Sequence, residues 1–325
     1  MTIKKTCLLI APLSFYSYSE YIKAELTRVG YEVTISKDEY PANTIGKIMG
    51  KLKIPLLLWI TKQRMVKDFL KGKKYDLAII IKGRGISPSL INEIKRVCPS
   101  VIGYTFDSLK FHPAPKSWLK NLDAFFTFDY RDAEKNHIEI IELFSSLPDT
   151  TSSKRQSYEV SGIARNHSKR LQFIDLVVSA LPNSRKQIYI YEQNIVSFIQ
   201  NFLRNPRLYV KYRKFIYFKP LSYEKYIEIL NNSNFVIDYA HPNQSGITIR
   251  CYEARSCGTK IITNNPFVFR DKHFNSENTI LLKGKSEIST MLKKYHEIKN
   301  SAPTKYNRSI NNFVNDLLVK GKVAK

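Results

Sequence analysis

The stretch HPNQSGITIRCYEARSCGTKIITNN, residues 241–265, holds the residue types best spaced for chemistry. It follows FVIDYA, an apolar run that reads as a buried strand, and its pattern predicts a helix over 246–256. On that helix Ile247, Cys251 and Ala254 recur at i, i+4, i+7 and form a buried stripe. Arg250, Glu253 and Cys257 fall on the neighbouring face, so Arg250 and Glu253 project together. Gly246 lets a ligand approach the backbone at the helix start. Unpaired amides and the positive end of the helix dipole there suit a phosphate. Arg250, one turn in, adds charge-assisted bonds to phosphate oxygens. Glu253, acceptor-only when ionised, suits a diol. Gly258 fits a left-handed stop. The alternative is plain packing, with Arg250 and Glu253 as a surface ion pair.

The elements around this stretch follow strand–helix grammar. TCLLIAP, YEVTIS, DLAIII, VIGYTF and DAFFTF read as strands in the first half. SEYIKAELTRVG reads as a helix, with Ser19 as cap, Ile22, Leu26 and Val29 on one face and Gly30 as stop. SPSLINEIKRV reads as another. LFSSLPDTTSSKRQS, over 143–157, is polar and aperiodic and reads as a linker. The alternation restarts with YEVSGIA and runs through QIYIYE, IYFK, FVIDYA and KIIT, with helices between. The tail over 286–318 holds two helical segments broken at SAPT. The predicted fold is α/β, two Rossmann-like domains facing each other across a cleft. The first spans 1–150 and the second 151–325, the last helix packing back on the first.

The chain has 325 residues, more than one core usually spans. Its formal net charge of +24 demands an anionic partner: nucleic acid, acidic membrane or phosphorylated ligand. Four cysteines without a CxxC pair suit reduced, buried thiols and a cytoplasmic location. Six scattered histidines offer no metal cluster, so no metal site is expected. The longest apolar run after the start, IPLLLWI, is too short to cross a bilayer. Twenty tyrosines and the charge allow a nucleic-acid binder, but no helix-turn-helix, zinc-finger or RRM signature accompanies them, and nucleic acid is not the expected partner.

Glu253–Ala254, then Gly258, then KIIT resembles the donor-site signature of GT-B glycosyltransferases. The wider stretch looks like bacterial transferases that build lipopolysaccharide or capsule. The resemblance implies a nucleotide-sugar donor as co-substrate, no further cofactor, and a glycan acceptor, lipid-linked in the leading reading. It implies that Glu253 binds the ribose hydroxyls and that Ser245, Gly246, Ile247 and Thr248 hold the diphosphate. Many retaining members carry a first Glu eight positions earlier, where this chain has Ser245, so the stereochemistry stays open. Nucleotide-sugar 2-epimerases share the fold and are the second reading.

Other positions extend the expected site. SGIAR puts Gly162 and Arg165 after the first strand of the second half, where Arg165 can reach donor phosphate or simply be solvated. No DxD motif is present, which favours charge stabilisation without a metal. An inverting reaction needs a general base at the carboxyl edge of the first sheet. Asp107 is assigned that role, the alternative being a loop-capping aspartate. Gly83 and Arg84 in KGRGIS, with His112 and Asp129, are expected to line the acceptor groove. Residues 44–74 carry nine basic residues and one acid, with an apolar side and a tryptophan. That composition suits a peripheral helix on an anionic membrane face. A core helix pair with a solvated basic face is the alternative.

Overall fold

The computed structural model describes residues 4–12, 18–41, 43–52, 54–147, 157–302 and 304–323. The chain divides into two compact units, Met1–Ser146 with Ser309–Lys325, and Leu147–Arg308. Most of the predicted linker, 148–156, lies outside the described residues.

The first unit contains β1 (Lys5–Ile10), β2 (Tyr31–Ser36), β3 (Leu77–Ile81), β4 (Val101–Thr105), β5 (Ala124–Thr127) and β6 (Glu139–Ile140). They form one sheet in the order β2-β1-β3-β4-β5-β6, and every neighbouring pair is parallel. The second unit contains β7 (Tyr158–Arg165), β8 (Lys186–Tyr191), β9 (Ile216–Tyr217), β10 (Ser233–Asp238), β11 (Lys260–Thr263) and β12 (Thr279–Leu281). Their order is β12-β11-β10-β7-β8-β9, again all parallel. The continuous apolar runs therefore do what parallel strands require. Every residue of β3, β4, β10 and β11 is buried, because helices cover both faces. β6 and β12 were not foreseen, being two and three residues long.

Local signals set most boundaries. Ser87 caps the Pro88–Val97 helix by accepting the Leu90 amide. The first helix spans Tyr18–Arg28, so Ser19 lies inside it rather than capping it, and Val29 falls beyond its end, exposed. The predicted 246–256 helix starts three residues later, at Ile249. The C-terminal Ile310–Lys320 helix belongs to the first unit. Its Phe313 ring lies 4.9 Å from Tyr104 and 4.8 Å from Phe144.

Strand order locates the crevices. In the second unit the chain leaves β7 toward β8 on one side and returns as β10 on the other. The loops after β7 and β10 thus part at their carboxyl ends, where ligands of such sheets bind. In the first unit the reversal falls between β1 and β3.

Candidate functional site

At the second unit's switch point β7 ends at Arg165 and β10 at Asp238. Asp238 is buried. It accepts the Thr248 hydroxyl at 2.8 Å and the Thr263 hydroxyl at 3.2 Å, and Arg250 Nη1 lies 3.7 Å away. These contacts fix the start of the Ile249–Ser256 helix against two strand ends. With its hydroxyl turned to Asp238, Thr248 gives no side-chain cap to the first turn. The helix start then keeps its electropositive character for a ligand. Two asparagines after β11 shape the loop before it. Asn264 pairs with both backbone groups of Ala240, and Asn265 Nδ2 donates to the carbonyls of Ser245 and Gly246.

Cations converge here. Burial, then Arg170, Arg165, His241 and Arg250, push the His167 imidazole down to about 3. His167 and His241 stand 6.4 Å apart, ring to ring. A neutral histidine among three guanidinium groups marks a place whose field favours an anion. Arg165 lies exposed at the end of β7 and bonds Gln193, and Arg170 Nη1 donates to the Arg165 carbonyl at 3.4 Å. A buried network of Glu192 with Asn166, Asn201 and Tyr209 anchors the loop that carries His167.

Glu253 is 3% exposed and forms no surface ion pair among the described residues. Its carboxylate accepts Tyr223 at 3.0 Å and Tyr226 at 2.9 Å, both from the Tyr223–Asn231 helix. Burial raises it to about 7, against the pull of the two hydroxyls and Arg250. Arg250 is held above its ordinary value: burial opposes its charge, and Tyr226 and Asp238 outweigh that. Its Nε is buried without a hydrogen-bond partner among the described residues, leaving a donor for a ligand.

The structure therefore brings together Arg165, Ser245, Gly246, Thr248, Arg250 and Glu253. Ile247 is 1% exposed and serves the core. Gly162 lies within β7 rather than after it, with Ile188 and Ile174 packed where a side chain would go. Sequence reasoning missed His167, Arg170, Tyr223, Tyr226 and Asp238 and gave His241 no role. The ARNHSKR loop after β7 was the available signal for His167 and Arg170, since it follows the strand at the switch point.

In the first unit Asp107 follows β4, and its carboxylate meets Lys82 Nζ at 2.6 Å. Its own carbonyl accepts the Thr105 hydroxyl, and its amide donates back to that oxygen. His112 is buried. Desolvation, then Lys82, lowers it to about 4, with Asp107 pulling the other way and Arg84 adding to the depression. Its Nε2 has no hydrogen-bond partner among the described residues. Asp107, His112 and Arg84 thus share one environment at the ends of β3 and β4. Arg84 is also paired with Glu39 at 3.2 Å. Gly83 sits at φ +64, where a Cβ would lie 2.6 Å from Trp118, so its conformation and packing both require glycine. Asp129 does not join the cluster. It is 1% exposed and accepts the Asp132 amide as cap of the Tyr130–Asn136 helix.

No protein-family model matches this chain, and no curated protein matches its sequence. Solved structures do match its fold. The lipopolysaccharide outer core galactosyltransferase WaaB aligns with a TM-score of 0.55 at 11% identity, covering 98% of this chain and 97% of that one. Anabaena HepE, solved with UDP and glucose, gives 0.58 at 10% identity, covering 98% and 100%. The Methanocaldococcus jannaschii UDP-GlcNAc 2-epimerase, solved with UDP-GlcNAc and UDP, gives 0.55 at 12%, covering 97% and 99%. The fold is GT-B, two Rossmann-like units, and these structures use it for both sugar transfer and epimerisation.

Proposed function

We propose that this protein is a glycosyltransferase of cell-surface polysaccharide biosynthesis, moving a hexosyl or related sugar from a nucleotide sugar to a lipid-linked glycan. The observation that carries the reading is the cation cluster at the β7/β10 switch point, with Glu253 beside it. Arg165, Arg250 and the start of the Ile249–Ser256 helix take the diphosphate, and Glu253 takes the ribose hydroxyls. These groups offset the charge on the leaving diphosphate without a metal. The acceptor lies against Arg84, His112 and Asp107. The acceptor oxygen attacks the anomeric carbon, the bond to the diphosphate breaks, and Asp107 takes the hydroxyl proton if the configuration inverts. Solved relatives in fold that hold UDP support the donor class. The exposed apolar residues Ile45, Ile48, Leu52, Leu56 and Trp59, within the basic 44–74 segment, support a peripheral site on the cytoplasmic membrane face.

The test is thermal protection by UDP, GDP, CMP and dTDP and their sugars. One nucleotide class should protect. Arg250→Ala should weaken it by roughly tenfold to a hundredfold, the worth of a charge-assisted phosphate bond. Protection by none of them, or protection untouched in Arg250→Ala, rejects the reading. The same fold in an epimerase favours one alternative, which product analysis separates: an epimerised sugar and no glycosidic bond.

A further inference from the structure

A second basic, apolar surface lies in the unit that holds the switch point, on the helix that follows β8. The Ile195–Arg204 helix contains no buried residue, although six of its ten residues are large and apolar. Ile195, Val196, Ile199 and Leu203 are 58%, 59%, 49% and 72% exposed. The adjoining segment adds Val210 at 57% and Phe218 at 50%. Single exposed apolar residues are ordinary, but six on one helix and its neighbour form a patch. Beneath it lies a cavity of about 330 Å³ lined by Phe198, Phe202, Tyr209, Ile216, Phe218 and Arg213. The helix is not loosely attached. Asn201 donates to both oxygens of Glu192, at 3.3 and 3.2 Å, and Phe198 packs edge-on to Tyr209 at 5.4 Å. The outward apolar face is therefore presented by a fixed element.

Charge identifies the occupant. Residues 195–219 carry six Lys and Arg and no Asp or Glu. Lys211 is engaged with Asp175, but Arg204, Arg207, Arg213 and Lys214 are exposed and have no carboxylate partner among the described residues. A second copy of the chain would set this basic rim against itself in a symmetric contact, which opposes self-association. An anionic bilayer offers headgroups to the rim and hydrocarbon to the apolar face. Amphipathic basic helices bind lipid interfaces in this way. We infer that the Ile195–Phe218 face inserts into an anionic phospholipid surface, its cavity receiving an acyl chain. This does not rest on the transferase reading, which nucleotide protection tests separately.

The experiment is co-sedimentation of the full chain with phosphatidylcholine vesicles, with and without phosphatidylglycerol. The variants are Ile199→Glu/Leu203→Glu and, for the 44–74 surface, Trp59→Glu. All these positions are exposed, so the fold should survive, as near-UV circular dichroism will show. The inference expects binding to anionic vesicles only, weakened by salt, and lowered about tenfold or more by the double variant. The same decrement should appear in the Trp59→Glu background. Equal binding by the double variant overturns the inference, as does absence of vesicle binding. Concentration-dependent dimerisation that the double variant abolishes also overturns it, by assigning the face to a second copy.

Discussion

Glu253 shows how a short motif acquires its chemistry from its surroundings. A carboxyl raised from 4.5 to about 7 binds more protons folded than unfolded between those values. Its contribution to stability is thus fully present at acid pH and is lost as pH rises from about 4.5 through 7. Glu253→Gln should remove that decline. The difference in stability between the two proteins should change by about 1–3 kcal/mol from pH 5 to pH 7.5, read from urea unfolding at each pH. A constant difference would mean that Glu253 is charged throughout.

At the scale of elements, tight turns after strands set where side chains are presented. Gly258 adopts φ +67 and stops the Ile249–Ser256 helix as its position implies. Gly83 combines φ +64 with contact to Trp118, directly after β3 and beside Lys82. Gly83→Ala should therefore cost about 2–4 kcal/mol, strain plus overpacking, and Gly258→Ala nearer 1. Urea midpoints at constant m check the order, and equal losses would contradict the Trp118 contact. The helix over 44–51 and its successor over 56–65 teach a related lesson. Met49, Leu57 and Met65 face inward, whereas Ile45, Ile48, Leu56 and Trp59 face out. The segment thus has features of both readings, an inward side that packs on the core and an outward apolar side.

For the whole molecule, the C-terminal helix belongs to the unit formed by the beginning of the chain. Phe313, Val314 and Leu317 are fully buried there. Deleting 309–325 removes roughly 5–9 kcal/mol of apolar burial, comparable to the stability of a domain. The first unit should then lose hydrogen-exchange protection across β1, β3 and β4. The second should keep protection in β7 and β10, and with it any nucleotide binding. Uniform loss in both would show that neither unit stands alone. No helix among the described residues is long and apolar enough to cross a membrane.

Local information determined much of this. Contiguous apolar runs marked β3 and β10, strand–helix alternation marked β4 and β11, and Gly258 marked a helix end. The apolar run that a covered strand needs and a glycine's access to left-handed dihedrals are properties of a few adjacent residues. Gly162 falls inside β7, and Asp129 gives its carboxylate to the Asp132 amide at a helix start, both through local contacts. What no window of sequence contained was convergence. Tyr223 and Tyr226 meet Glu253 across 30 and 27 residues of chain. Arg170, His241 and Arg250 act together on His167 because β7 and β10 are neighbours. That adjacency is set by hydrogen-bonded strand order, which only the tertiary structure decided.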